Sequence, residues 1–341
     1  MRNIYQMTKE QLEQFFINHG YKAFKAKQVY EWLYKKRVKS FKDMHNLSHE
    51  VISLLEENFV MDELKILQEK SDVDVSKFLF GLSDNNKIEA VLMRHDYGNS
   101  ICLSTQVGCN MGCRFCESGR LKKVRNLDAH EMVLPILMIE EKLNIHISRI
   151  VLMGIGEPFD NYENVISFIE IINSPFGLAI GSRHITISTC GLVPKIKEFT
   201  KYDKQVNLAI SLHAPNNKIR NEIMNINKAY NIEEVINAVR DYIKVTNRRV
   251  TFEYILLKGV NDTTKCALEL ASLLRGINCY VNLIPYNETS HIEFKKSSQD
   301  NILNFYDVLK KNNINVTIRR EFGSKVSAAC GQLRANYEEG L

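Results

Sequence analysis

A chain of 341 residues with 45% hydrophobic and 25% charged residues has a globular composition, long enough for one large α/β barrel with an appendage or for two ordinary domains. It contains no long uncharged apolar run, which excludes a membrane-spanning helix, and no signal-like apolar stretch follows Met1, so the expected compartment is the cytoplasm. A net charge of +5 permits a nucleic-acid partner without requiring one, and the eight cysteines point to metal or redox chemistry rather than to a disulfide framework.

Thr8 and Gln11 have the spacing of a capping box, and Leu12, Phe15 and Phe16 recur at helical spacing before Gly20 ends the segment. Residues 24–37 predict a second helix with Phe24, Val29, Trp32 and Leu33 inward, and Ser48 caps a third through Leu54 and Leu55. Residues 1–62 therefore read as a small helical module. It carries a basic run, Lys35, Lys36, Arg37 and Lys39, which is either a solvated face or a surface for nucleic-acid backbone.

Over residues 63–99 the period falls to two, with extended runs at 64–67, 77–82 and 88–93 and a turn at 84–86, which predicts a β extension. Glu89 stands among apolar neighbours in the last run, either facing solvent or aimed into a cleft where burial alters its basicity.

From residue 100 strand and helix patterns alternate, which predicts a parallel sheet with covering helices. Strands are expected at 100–104, 148–153, 184–188, 206–211, 249–256 and 279–285, with a further run at 314–319; helices are expected at 129–143, 161–173, 233–246, 263–275 and 297–312. Pro135 should kink the first of these helices or move its start. About six β/α units over residues 100–341 suit an incomplete barrel. With no internal repeat and no low-complexity linker, the boundary near 60–75 rests only on the change of period.

Three thiols are spaced Cys109-x-x-x-Cys113-x-x-Cys116, with Cys102 seven residues ahead. They can hold a metal, but the loop offers no fourth ligand, so one coordination position stays open; a [4Fe-4S] cluster held by three cysteines has such a free iron. The duller alternative is a structural zinc completed by Cys102 or a histidine. Strand ends carry further polar groups: Gly156 and Glu157 after 148–153, Ser188 and Cys190 around the end of 184–188, Ser211 and His213 after 206–211, and Asn287 after 279–285. Around one barrel mouth these residues form a ring suited to a cofactor. Cys190, Cys266 and Cys279 read as packing residues. Arg114, Arg120, Lys122, Lys123 and Arg125 surround the cysteine motif as a second basic run.

The cysteine motif followed by Gly154-Ile-Gly-Glu-Pro158 resembles the radical S-adenosylmethionine superfamily. Cys102-Leu-Ser-Thr-Gln-Val-Gly-Cys109, Ser211-Leu-His-Ala-Pro215, Val281-Asn-Leu-Ile-Pro285 and Ala328-Ala-Cys330-Gly-Gln-Leu333 narrow the resemblance to the dual-specificity 23S rRNA/tRNA adenine-C2 methyltransferases. That resemblance implies a partial (β/α)6 barrel with a helical accessory domain, a [4Fe-4S] cluster on Cys109, Cys113 and Cys116, and S-adenosyl-L-methionine chelating the open iron. Gly156, Glu157, Ser188, Ser211, Leu212, His213 and Asn287 would line its pocket. Cys330 would carry a methyl group, Glu89 would take a proton from the adenine ring, and Cys102 would release the product by forming a transient disulfide with Cys330. The partners implied are 23S rRNA and tRNA and an electron donor such as flavodoxin or ferredoxin, for a monomer.

Two other readings compete: a related C8-adenine 23S rRNA methyltransferase that confers antibiotic resistance, and a non-catalytic zinc-stabilised RNA-binding protein. The segments around Glu157 and His213 look closer to the C2 group. The chain departs from the usual pattern at Glu117, where a smaller residue is common, at Ile155, where Met is common, and at Ser324–Ser327, which lacks the acidic residues often seen there.

Overall fold

The computed structural model describes residues 1–319 together with Gln332 and Leu333. Its N-terminal part opens with α1 (Lys9–Asn18), held by the expected capping box between Thr8 and Gln11. α2 spans Phe24–Tyr30 and continues into one wider π turn over Glu31–Lys36, which Arg37 ends at a φ of 55°. The helical run therefore covers 24–36, one residue short of the expected 24–37, and the Arg37 side chain beyond it reaches the Leu137 carbonyl and the Glu140 carboxylate. The buried side chains of the run are Ala26, Val29, Tyr30, Leu33 and Tyr34; of those expected inward, Trp32 is half-buried and Phe24 is 51% exposed. α3 (His49–Asn58) starts after Ser48, and the short extended segments Arg2–Asn3 and Phe59–Val60 pair in parallel.

Apart from a short antiparallel pair between Gln106–Val107 and Arg125–Asn126, the remaining strands among the described residues form one sheet of ten in sequential order: β1 (Lys65–Ser71), β2 (Val75–Gly81), β3 (Lys87–His95), β4 (Gly98–Leu103), β5 (Ile147–Leu152), β6 (Ile185–Thr189), β7 (Asn207–Ser211), β8 (Val250–Leu256), β9 (Cys279–Pro285) and β10 (Val316–Ile318). β1 to β4 are an antiparallel meander, and from β4 onward each neighbour runs parallel. A sequential parallel order with helical crossovers is singly wound, the topology of a barrel; with β1 and β10 at the two edges among the described residues, the barrel is partial.

The covering helices are α4 (Ala129–Leu143), α5 (Tyr162–Asn173), α6 (Val193–Phe199), α7 (Asn217–Ile223), α8 (Ile232–Thr246), α9 (Thr264–Leu273) and α10 (Gln299–Lys311). α4 runs through Pro135 and begins at Ala129, capped by Asp128 and Glu131, so the proline does not move its start. At seven residues each, α6 and α7 are too short for a periodic pattern to reveal them.

Strand alternation divides the sheet into two faces. Ile150, Leu152, Ile185, Ile187, Leu208, Ile210, Phe252 and Leu283 face the helices in the main core. The residues between them face the other way and line cavities along the sheet.

Candidate active site

The inward rows place chemistry at the strand ends. Ser188, Ser211, Glu253 and Ile255 line one cavity together with Cys109, Cys113 and Cys116. The cysteine loop owes its shape to backbone contacts: Cys109 N donates to Leu121 O at 3.1 Å, Cys116 N to Cys113 O at 3.1 Å, and Arg114 N to Ile223 O at 3.0 Å. Gly119 is required there, since a Cβ on it would lie 2.6 Å from the Cys113 carbonyl oxygen.

Burial pushes the Cys109 thiol up to about 12 and the Cys113 thiol well above its ordinary value, the neighbouring thiols adding to both. Three bare thiolates are untenable in such a cavity; a cation among them makes the set work as ligands. Among the described residues no group of three or more His, Cys, Asp or Glu is arranged to hold a single metal ion. Thiols spread around a cavity suit a cluster, whose liganded irons occupy separate corners.

Glu157 is buried, and its carboxylate accepts from Phe159 N at 3.0 Å and Cys190 N at 2.8 Å. Burial raises its pKa, while these hydrogen bonds oppose the rise. Gly156 before it has a φ of 108°, and a Cβ there would meet the Gln106 side chain at 2.6 Å; Gln106 in turn accepts from Glu157 N at 2.9 Å. The Ser188 and Ser211 hydroxyls lie 3.3 Å apart. His213 takes a left-handed φ of 59°, its Nδ1 accepts from Ile255 N at 3.1 Å, and burial with the nearby Arg220 lowers its pKa to about 3. The imidazole is therefore neutral with its proton on Nε2.

Leu212 belongs to the outward row: its side chain lies in the main core, so only its backbone is near the cavity. Asn287 follows the end of β9 half-buried and is not among the lining residues. Cys190 is buried as expected but also lines the cavity. Cys266 and Cys279 are packed in the main core.

Glu89 and Cys102 lie on the inward face of β3 and β4, where Val91 pairs with Cys102 in register. Glu89 is buried 3.0 Å from the Lys77 ammonium. Cys102 packs with Val91, Met93, Ile155 and Leu333, and the Leu333 carbonyl accepts from the Ser118 hydroxyl of the cysteine loop at 2.8 Å. Cys330 and the 324–327 segment lie outside the described residues.

The sequence did not single out Glu253. It is buried on β8, accepts from the Asn282 amide at 2.9 Å, and has its pKa raised by burial. The signal available was an acid two positions before Ile255 in an otherwise apolar strand. Nor are the basic runs wholly available to a partner. Arg37 pairs with Glu140, Lys39 with Glu63 and Glu141, Lys123 with Asp160, and Arg125 with Asp84 and Glu131.

Residues 103–271 match the radical SAM superfamily, and residues 2–61 match the ribosomal RNA large subunit methyltransferase N-terminal domain. A probable dual-specificity RNA methyltransferase RlmN of Enterococcus faecalis is 56% identical, covering 98% of this chain and 96% of its own. Proteins of the same name from Acholeplasma laidlawii and Spiroplasma citri are 52% and 53% identical over 97% and 99% of the chain, and over 98% and 99% of theirs. The crystal structure of a radical SAM methyltransferase from Sphaerobacter thermophilus superposes with a TM-score of 0.92 at 38% identity, covering 98% of this chain and all of that one. The chain belongs to the dual-specificity RNA methyltransferase family of the radical SAM superfamily.

Proposed function

We infer that the chain methylates C2 of an adenine in 23S rRNA and in tRNA, using a [4Fe-4S] cluster and two molecules of S-adenosylmethionine for each methyl transferred. The observation that carries this reading is the convergence of three cysteines, Glu157, Ser188 and Ser211 on one cavity at the strand ends, in a chain more than half identical to dual-specificity RNA methyltransferases over nearly its whole length.

Adenine C2 is a poor nucleophile, and the bound cluster with S-adenosylmethionine supplies the one-electron chemistry that makes substitution there possible. Cys109, Cys113 and Cys116 hold the cluster. Glu157, which lines the cavity and is held by the Phe159 and Cys190 amides, accepts from the cofactor amine. Gly156, Ser188 and Ser211 meet the cofactor's polar groups, the neutral His213 offers a donor at Nε2, and Leu212 and Asn287 contribute from the rim through backbone and amide. Cys330 carries the methyl carbon to the ring. Glu89, 3.0 Å from the Lys77 ammonium, takes the proton that the ring carbon gives up. Cys102 then attacks the Cys330 sulfur: the new S–S bond forms as the C–S bond breaks, and the bonding pair stays with the methylene carbon, which takes up a proton to become the methyl group of the product. Leu333, three residues beyond Cys330 in sequence, lies in the same apolar cluster as Cys102, which supports the pairing of these two thiols.

In this reading residues 1–62 position RNA through backbone contacts, residues 63–99 carry Glu89, and residues 100–341 form the catalytic unit. The enzyme acts as a cytoplasmic monomer, reduced by a flavodoxin or ferredoxin. Among the described residues no helix is long and apolar enough to cross a membrane. Anaerobically reconstituted protein incubated with S-adenosylmethionine, reductant and unmodified 23S rRNA or tRNA is expected to yield 2-methyladenosine on nucleoside analysis. 8-Methyladenosine, or no methylated nucleoside from iron-loaded protein, overturns the reading.

A further inference from the structure

Arg220 of α7 is completely buried, and each of its hydrogen bonds ends on a neutral oxygen. Nε donates to Leu212 O at 3.2 Å, Nη1 to Asn227 Oδ1 at 2.9 Å and Tyr230 O at 3.3 Å, and Nη2 to Cys190 O at 2.6 Å. No carboxylate among the described residues pairs with it. The four oxygens fix the guanidinium but leave its charge uncompensated, and a buried cation without an anion is strongly unfavourable. Uncharged donors serve as well where the task is only to tie loops together.

The surroundings indicate where the missing negative charge belongs. α7 packs against the cysteine loop, its Ile223 carbonyl accepting from Arg114 N at 3.0 Å, and Met224 just after it lines the cysteine cavity. Cys190, whose carbonyl Arg220 holds, lines the same cavity. The ionisable groups acting most on the guanidinium are the thiols of Cys190 and Cys113. An oxidised [4Fe-4S] core held by three thiolates bears one net negative charge, and one-electron reduction adds another.

We propose that Arg220 is the counter-charge of the iron–sulfur cluster, a positioning residue whose fixed cation favours the reduced state. The proposal rests on the reading of Cys109, Cys113 and Cys116 as cluster ligands. A unit charge about 10 Å away at an effective dielectric of about 20 shifts a one-electron equilibrium roughly tenfold, about 59 mV.

The test is an anaerobic redox titration of reconstituted holoenzyme with low-potential viologen dyes, followed by visible bleaching and by the electron paramagnetic resonance of the reduced cluster. Iron content and thermal unfolding are measured on the same samples. Arg220→Gln, which keeps some hydrogen bonds and loses the charge, is expected to lower the reduced-to-oxidised ratio at fixed potential about tenfold, and Arg220→Lys to restore most of it. Asn227→Asp supplies the missing carboxylate with the arginine in place, and should lower the ratio in the same direction. Wild-type protein that takes up no iron sinks the ligand reading and this proposal with it. Iron-loaded Arg220→Gln that titrates with wild type, or Arg220→Lys displaced as far as Gln, overturns the proposal alone and leaves Arg220 a hydrogen-bonding clamp. Where Arg220→Gln does not fold, an unshifted Asn227→Asp enzyme overturns it.

Discussion

The two ends of the inward sheet face are built from the same rows of residues and are unlike in character. At the strand starts Arg149, Thr186, Thr251, Asn282 and Thr317 line a wide cavity of about 780 Å³. Two residues further along the same rows, Ser188 and Glu253 help line a cavity of about 150 Å³ with the three cysteines. Burial at this narrow end raises the pKa of Glu157 and Glu253 and lowers that of His213. The fold supplies an inward face along its whole length; only the strand ends, where loops close over it, convert polar side chains into groups with altered chemistry.

The sharpest way to break this contrast is at the loop that closes the narrow end. Gly156→Ala forces a side chain into a φ of 108° and against Gln106 at 2.6 Å, displacing the residue that holds Glu157 N. Strain and overpacking together should cost about 3 kcal/mol of stability, and S-adenosylmethionine binding should be lost. Equilibrium urea unfolding and isothermal calorimetry read both. A Gly156→Ala protein with wild-type stability and affinity means that the loop has room which the geometry denies.

Much of this site was legible in the sequence because it depends on local pattern. The thiol spacing, the glycines beside Glu157 and the serines at strand ends each sit within a short motif, and β/α alternation placed them at one mouth. What escaped depended on orientation or on distant neighbours. Leu212 sits between Ser211 and His213, but a strand sends alternate side chains to opposite faces, so its side chain went to the core. Glu253 is an isolated acid whose burial and Asn282 partner come from register with β9. The basic runs looked free because Glu140, Glu141, Asp160 and Asp84, which neutralise much of them, are far away in sequence. The helical module and the β meander were readable from the change of period, whereas the π turn that follows α2 was not, and the Arg37 contact with α4 beyond it joins residues about a hundred positions apart and leaves no local signal.

A smaller effect separates the two ends by pH. His213 has its folded pKa depressed to about 3, below its ordinary value of 6.5, so below pH 6.5 the unfolded chain binds a proton that the folded chain refuses. The contribution of neutral His213 is fully present above pH 6.5 and fades as pH falls toward 3. Between pH 6 and pH 5 this removes about 1 kcal/mol from wild-type stability, a loss that His213→Asn should not show. Urea unfolding at the two pH values checks it by the difference between the proteins, which cancels the opposite-signed contributions of Glu157 and Glu253. Parallel pH profiles would mean that the ring is protonated in place, and that the narrow end is wetter than its burial indicates.

The smallest effect belongs to the wide end. Thr251 stands on β8 two residues before Glu253 and faces the larger cavity half-buried. Valine has nearly the same shape and a high preference for strands, so Thr251→Val removes a hydroxyl without opening a void. Its stability should stay within about 0.5 kcal/mol of wild type, with S-adenosylmethionine affinity unchanged in the same calorimetric assay. Glu253 and Arg319 border both cavities, so the two could act as one. If Thr251→Val weakened cofactor binding, the hydroxyl would have to act through Glu253, and the division of the face into a reactive end and a solvated end would fail at this strand.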